Sequence, residues 1–112
     1  GIGTCLMAVG SERANRTPAS GEIISRIRRI SSMGSEPVSE KEGDFSWTLT
    51  TAIPLVVFFR HNVENLTGKI LRANFYKCGD ELKVPHYVTW NSIGTEKPDY
   101  HQSAYFGSLK FK

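Results

Sequence analysis

Arg72, Asn74 and Tyr76 recur at every second residue, so an extended chain from Lys69 to Lys77 sets them on one face, with Leu71, Ala73 and Phe75 on the other. A guanidinium, a carboxamide and a phenol are planar groups rich in donors and acceptors, suited to a ligand that presents hydroxyls. A pyranose is such a ligand, and its C–H patches also stack on an aromatic face. Trp90, in the alternating stretch Val84 to Ile93, is the candidate platform. A structural reading competes at each position. Arg72 can pair with an acid, and Asn74 can bond neighbouring backbone. Trp90 shares its parity with Val84 and Val88, which suits a core residue unless a bulge or strand end near Asn91 re-aims it. Trp47 has the parity of Phe45 and Leu49 and is expected in the core.

Other chemistries find less support. Catalysis needs a nucleophile with its base, or paired carboxylates. Cys78 with His86 is the one tempting pair, and Cys78 lies in an expected turn without the flanking signature of a thiol hydrolase. Asp80 and Glu81 are adjacent and point apart in an extended chain. The chain is therefore read as non-catalytic. His61, His86 and His101 match no compact metal-ligand spacing. No cofactor is expected, and calcium through Asp44, Asp80 or Asp99 stays open for a secreted sandwich, although no EF-hand-like loop is present. Cys5 and Cys78 are the only cysteines and are read as two buried thiols; a bridge between them cannot be placed from spacing alone.

The elements that must position these groups are short strands. Phe45 to Ile53 alternates with period two and is expected as a half-buried strand ending at Pro54. Leu55 to Phe59 is either a turn of helix or a short buried segment. Lys69–Lys77, Val84–Ile93 and Leu109–Phe111 are further strand candidates, with Cys78-Gly79-Asp80 as a turn. Upstream, Ile2 to Val9 is expected as a strand and Ser11 to Gly21 as a loop. Ile23, Ile27 and Ile30 repeat at helical spacing, and the β-branching of Ile23, Ile24 and Ile27 suits a strand; the expectation is strand. Gly34 to Gly43 is an acidic connection. Strands punctuated by Gly, Pro and Asn turns predict an all-β fold, an antiparallel β-sandwich. So few strands leave an apolar face open unless another copy or a further segment covers it.

Composition agrees with one small folded domain: 112 residues, 39% hydrophobic and 22% charged. The longest apolar run, Ile53 to Phe59, is far too short for a membrane-spanning helix. A net charge of +3 is too mild to imply nucleic acid, and the Arg13, Arg16, Arg26, Arg28 and Arg29 cluster is followed by Glu36, Glu40, Glu42 and Asp44. No nucleic-acid partner is expected.

Three ordered motifs narrow the reading: Arg72-Ala73-Asn74-Phe75-Tyr76-Lys77-Cys78-Gly79-Asp80, then Pro85-His86-Tyr87-Val88-Thr89-Trp90-Asn91-Ser92-Ile93, then Pro98-Asp99-Tyr100-His101 with Phe106-Gly107. With Gly34, Glu42-Gly43-Asp44-Phe45 and Ala52-Ile53-Pro54 upstream, the chain from about Ile2 to Phe111 resembles the C-terminal half of the carbohydrate-binding module family nine-like domains of Bacteroidetes. The resemblance implies a non-catalytic sugar-binding β-sandwich, secreted or periplasmic, with an oligosaccharide or polysaccharide as partner. Trp90 is the first position to which a sugar-binding role carries over, with Arg72 and Asn74 in the other matched strand. Two departures stand out: Ser92 replaces the usual Pro, and Gln102-Ser103-Ala104 replaces Arg-Pro-Glu. Such domains are commonly about twice this length. That mismatch predicts a homodimer or larger assembly, and it keeps open a structural or assembly domain of the same fold that has lost sugar binding.

Overall fold

A computed structural model of the chain describes residues 4–11 and 13–112. Ile2 and Gly3, at the start of the expected first strand, and the side chain of Arg13 lie outside the described residues. The chain divides into two compact units, Gly1–Glu64 and Asn65–Lys112.

In the first unit, β1 (Ala8–Val9) pairs antiparallel with β2 (Thr17–Pro18), and β3 (Arg28–Ser31) pairs antiparallel with β4 (Leu49–Ala52). The segment expected as loop thus holds a short strand and a 3-10 turn, Arg13–Asn15. Ile23 and Ile24, expected in a strand, lie in the helix α1 (Gly21–Ser25). The reason is local: Ser20 caps the turn, its hydroxyl accepting from the Ile23 N–H at 3.3 Å, and Glu22 bridges to Arg26 at 3.1 Å. The β-branched run becomes extended only at Arg28.

The strand expected over Phe45–Ile53 is shorter, and every residue of β4 is exposed. Trp47, expected in the core, is 42% exposed. Period two identified a strand correctly at Leu49–Ala52, but β4 pairs with β3 alone, leaving its alternating apolar residues open. Leu55–Phe58 forms a 3-10 helix entered through Pro54, whose carbonyl accepts from the Val57 N–H at 3.0 Å. Val57, 1% exposed, is the most deeply buried hydrophobic side chain among the described residues.

In the second unit, β5 (Ile70–Ala73) pairs with β8 (Gly107–Lys110), and β6 (Tyr76–Gly79) pairs with β7 (His86–Thr89), both antiparallel. Gly68, at φ 72°, turns the chain into β5, and its N–H donates to the Phe111 carbonyl at 3.1 Å. The single strand expected over Lys69–Lys77 is two strands in two sheets, broken at Asn74-Phe75. Asn74 causes the break: its Oδ1 accepts from the next N–H, Phe75, at 2.9 Å, so the side chain takes over a bond that the ladder would have made. Gly79, expected in a turn, completes β6 instead, and the turn begins at Asp80.

The all-β expectation holds: all four strand pairs among the described residues are antiparallel, and α1 is five residues long. Each sheet has two strands. Leu71 and Leu109 face each other half-buried across β5 and β8, and no hydrophobic side chain of this unit is fully buried. Cys5 and Cys78 are unbridged, and Cys78, expected as a buried thiol, is exposed, its Sγ 3.3 Å from Asp80 Oδ1.

Candidate functional site

Trp90 lies one residue past β7. Its N–H donates to the Phe75 carbonyl at 2.9 Å, which carries the β6–β7 ladder one pair further. That pairing puts both rings on one face, their centroids 5.5 Å apart and tilted by 59°. The indole is 52% exposed. Its six-membered ring lies against Gly107 of β8, where an added Cβ would sit 2.9 Å from Cζ3 and 3.2 Å from Cη2. Gly107 does not take a positive φ, so the glycine serves to make room for the ring.

The segment carrying Trp90 is braced by Asn74. Its Nδ2 donates to the carbonyls of Asn91 at 2.8 Å and Tyr105 at 3.2 Å, and its Oδ1 accepts from the N–H groups of Phe75 and Asn91. Both amide protons and both lone pairs are thereby engaged. Asn91 adds a bond of its own, Nδ2 to the Tyr105 carbonyl at 3.0 Å. Arg72 reaches the adjoining stretch: one terminal nitrogen donates to Ala104 O at 3.0 Å and Phe106 O at 2.8 Å, and Nε to Phe106 O at 3.3 Å. Its partners are backbone carbonyls rather than an acid. The Arg72 and Asn74 side chains thus tie β5 and its exit to the two loops that frame Trp90.

Tyr76 is elsewhere. Opposite Thr89 in the β6–β7 register, it lies on the face away from Phe75 and Trp90. There it stacks on Tyr100, centroids 4.3 Å apart at 14°, while Tyr87 meets Tyr100 at 6.4 Å and 65°. The Tyr76 hydroxyl is buried without a hydrogen-bond partner. Tyr100 donates to the Lys77 carbonyl at 3.3 Å. Desolvation raises the Tyr100 phenol above its ordinary pKa, reinforced by the negative charges that Cys78, Tyr87, Tyr76 and Asp80 carry when ionised.

Of the four residues expected to share a site, the structure gathers Trp90, Arg72 and Asn74 around one pair of loops and leaves Tyr76 on another face. Three contributors were not anticipated: Phe75, Asn91 and Gly107. Phase alone could have found Phe75, because a residue paired with Trp90 shares its face. Among the described residues no three His, Cys, Asp or Glu side chains converge as a metal set.

The chain is thus β-rich and holds a half-open indole on a sheet face. The chain belongs to carbohydrate-binding family 9, whose sequence pattern matches residues 1–111. It is similar to a crystal structure of a candidate carbohydrate-binding protein from Bacteroides uniformis, with 43% sequence identity and a TM-score of 0.84 over 96% of this chain. The match covers 49% of the Bacteroides chain, so the present chain spans about half that length. Among curated proteins none is significantly similar.

Proposed function

We propose that the chain is a non-catalytic glycan-binding module, secreted or periplasmic, in which Trp90 stacks against a sugar ring. The observation that carries this reading is the half-exposed indole held against Gly107 in a chain of carbohydrate-binding family 9. A ring whose position is fixed before the ligand arrives loses little freedom on binding, which leaves more of the stacking energy as affinity. Phe75 extends the apolar face. Arg72 serves as brace and contact: the terminal nitrogen not used on carbonyls offers N–H donors to sugar hydroxyls. Asn74, with every donor and lone pair engaged, serves by fixing Asn91 and the Trp90 segment rather than by touching sugar. Tyr76, expected as a further sugar contact, belongs to the tyrosine stack on the opposite face and supports the hairpin from behind.

In this reading the chain is one half of an antiparallel β-sandwich about twice its length, and on its own it covers its open apolar faces by pairing with a second copy. The experiment is a glycan array followed by thermal shift of the purified chain with each hit. A ligand that binds only the native state raises its melting temperature, so a sugar that binds and stabilises supports the reading. No hit at millimolar glycan contradicts it.

A second reading, a structural or assembly domain of the same fold without sugar binding, is favoured by one observation. Phe75, Val88 and Trp90 form an open apolar row that a protein surface could cover equally well. A dimer indifferent to every glycan would select it.

A further inference from the structure

The face of the β6–β7 hairpin that bears Trp90 does not end with the aromatic pair. Along β7 the same face carries Val88 and His86, and along β6 it carries Lys77, which pairs with Val88 in the register. Lys77 Nζ contacts His86 Nε2, and His86 Nδ1 lies 3.2 Å from the Val84 carbonyl. With Nδ1–H donating to Val84, Nε2 is left to accept from the Lys77 ammonium. No carboxylate among the described residues forms a salt bridge with Lys77. Asp80, in the turn beyond β6, is engaged by Cys78 Sγ. The face therefore runs from an aromatic end (Phe75, Trp90), over Val88, to Lys77, two residues or about 7 Å along the strand from Phe75, whose ammonium has no salt bridge among the described residues.

We propose that this face selects glycans carrying an anionic group, a uronate carboxylate or a sulfate ester, next to the sugar that stacks on Trp90. The proposal rests on the carbohydrate-binding reading and names its ligand class. The chemistry is charge complementarity on a preformed surface. The platform holds one sugar, and Lys77, steadied by His86, donates a charge-assisted hydrogen bond to the anion beside it. A neutral glycan leaves that ammonium facing only water and imidazole, so it keeps the stacking and loses the added bond.

The test is calorimetric titration with matched pairs: oligosaccharides of galacturonate, glucuronate and mannuronate against their carboxyl-reduced counterparts, and a sulfated oligosaccharide against its desulfated form. At least one anionic member is expected to bind roughly fivefold tighter than its neutral counterpart at low salt, the scale of a partly exposed ion pair. Which pair shows the preference distinguishes carboxylate from sulfate. Lys77→Gln should reduce that member to the affinity of its counterpart, Lys77→Arg should keep the preference, and 0.5 M salt should narrow it. The inference is overturned if glycans bind but no anionic member exceeds its counterpart, or if the preference survives Lys77→Gln in a variant that melts like the parent. If no glycan binds at all, the carbohydrate-binding reading falls first and this one with it.

Discussion

At the scale of residues, a small number of side chains decide whether Trp90 is a platform. Gly107 is one of them, because its missing Cβ is the space in which the indole lies. Gly107→Ala must move the ring or the strand, and overpacking of this kind costs about 1–3 kcal/mol. With Trp47→Phe as background, so that Trp90 is the sole indole, the near-UV circular dichroism of Gly107→Ala should differ from that of the parent; an unchanged spectrum would deny the contact. Asn74 is another. Asn74→Ala removes four hydrogen bonds and should cost about 2–3 kcal/mol in urea unfolding, with the loss of sugar affinity following from a loosened Trp90 segment. Asn74→Asp keeps the two acceptor contacts but sets a carboxylate oxygen against the Asn91 and Tyr105 carbonyls, so it should destabilise at least as much as the alanine. A direct sugar contact at Asn74 would instead show as lost affinity with stability intact. Arg72 and Asn74 stood out in the sequence by strand spacing, and Trp90 as the aromatic of a separate motif. The Asn74 role was not legible, since alternation cannot tell a side chain that points outward from one that turns back on its own backbone.

At the scale of elements, the decisive event is the division of one apparent strand into β5 and β6. Period two runs from Lys69 to Lys77 without interruption, so hydrophobic pattern alone reads a single strand and one Arg72, Asn74, Tyr76 face. The Asn74 side chain breaks the ladder, and Tyr76 restarts it in a different sheet. The same limit explains α1: Ser20 as a cap decides the helical turn, and β-branched composition hides it. Strand existence was legible at β4, β5, β7 and β8, whereas partners and lengths depend on residues far away in the sequence. The tyrosine stack behind β6–β7 gives this element a pH signature. Tyr100 has a folded-state pKa above its ordinary value of 10.0, so the folded form holds its proton more tightly than the unfolded form. Its contribution to stability is therefore fully present below about pH 10 and is lost as pH rises through the folded-state pKa. Thermal unfolding from pH 8 to 11 should show a decline above pH 10 that Tyr100→Phe reduces; an identical decline in that variant would assign it to other groups.

At the scale of the whole molecule, the chain offers two units, each with two-stranded sheets and many open apolar side chains. Phe45, Trp47 and Leu49 are exposed in the first, and Phe75, Val88 and Trp90 in the second. Two-stranded sheets are marginal alone, and unpaired edges with apolar faces favour association. Light scattering of the isolated chain is therefore expected to give a dimer or larger particle; a monodisperse 12.5 kDa species at high concentration would show that the faces are tolerated in water. The chain spans about half the length of the Bacteroides uniformis structure that it matches. Self-association and sugar binding compete for Trp90 if they use one face, so affinity should be read at several protein concentrations. The central claim is that Trp90 is a sugar platform, and calorimetric titration of the parent and of Trp90→Ala with the strongest array hit tests it most directly. The account predicts a measurable affinity for the parent and a loss of roughly thirtyfold, about 2 kcal/mol, in a Trp90→Ala variant that still folds. Equal affinity in the two proteins would contradict it.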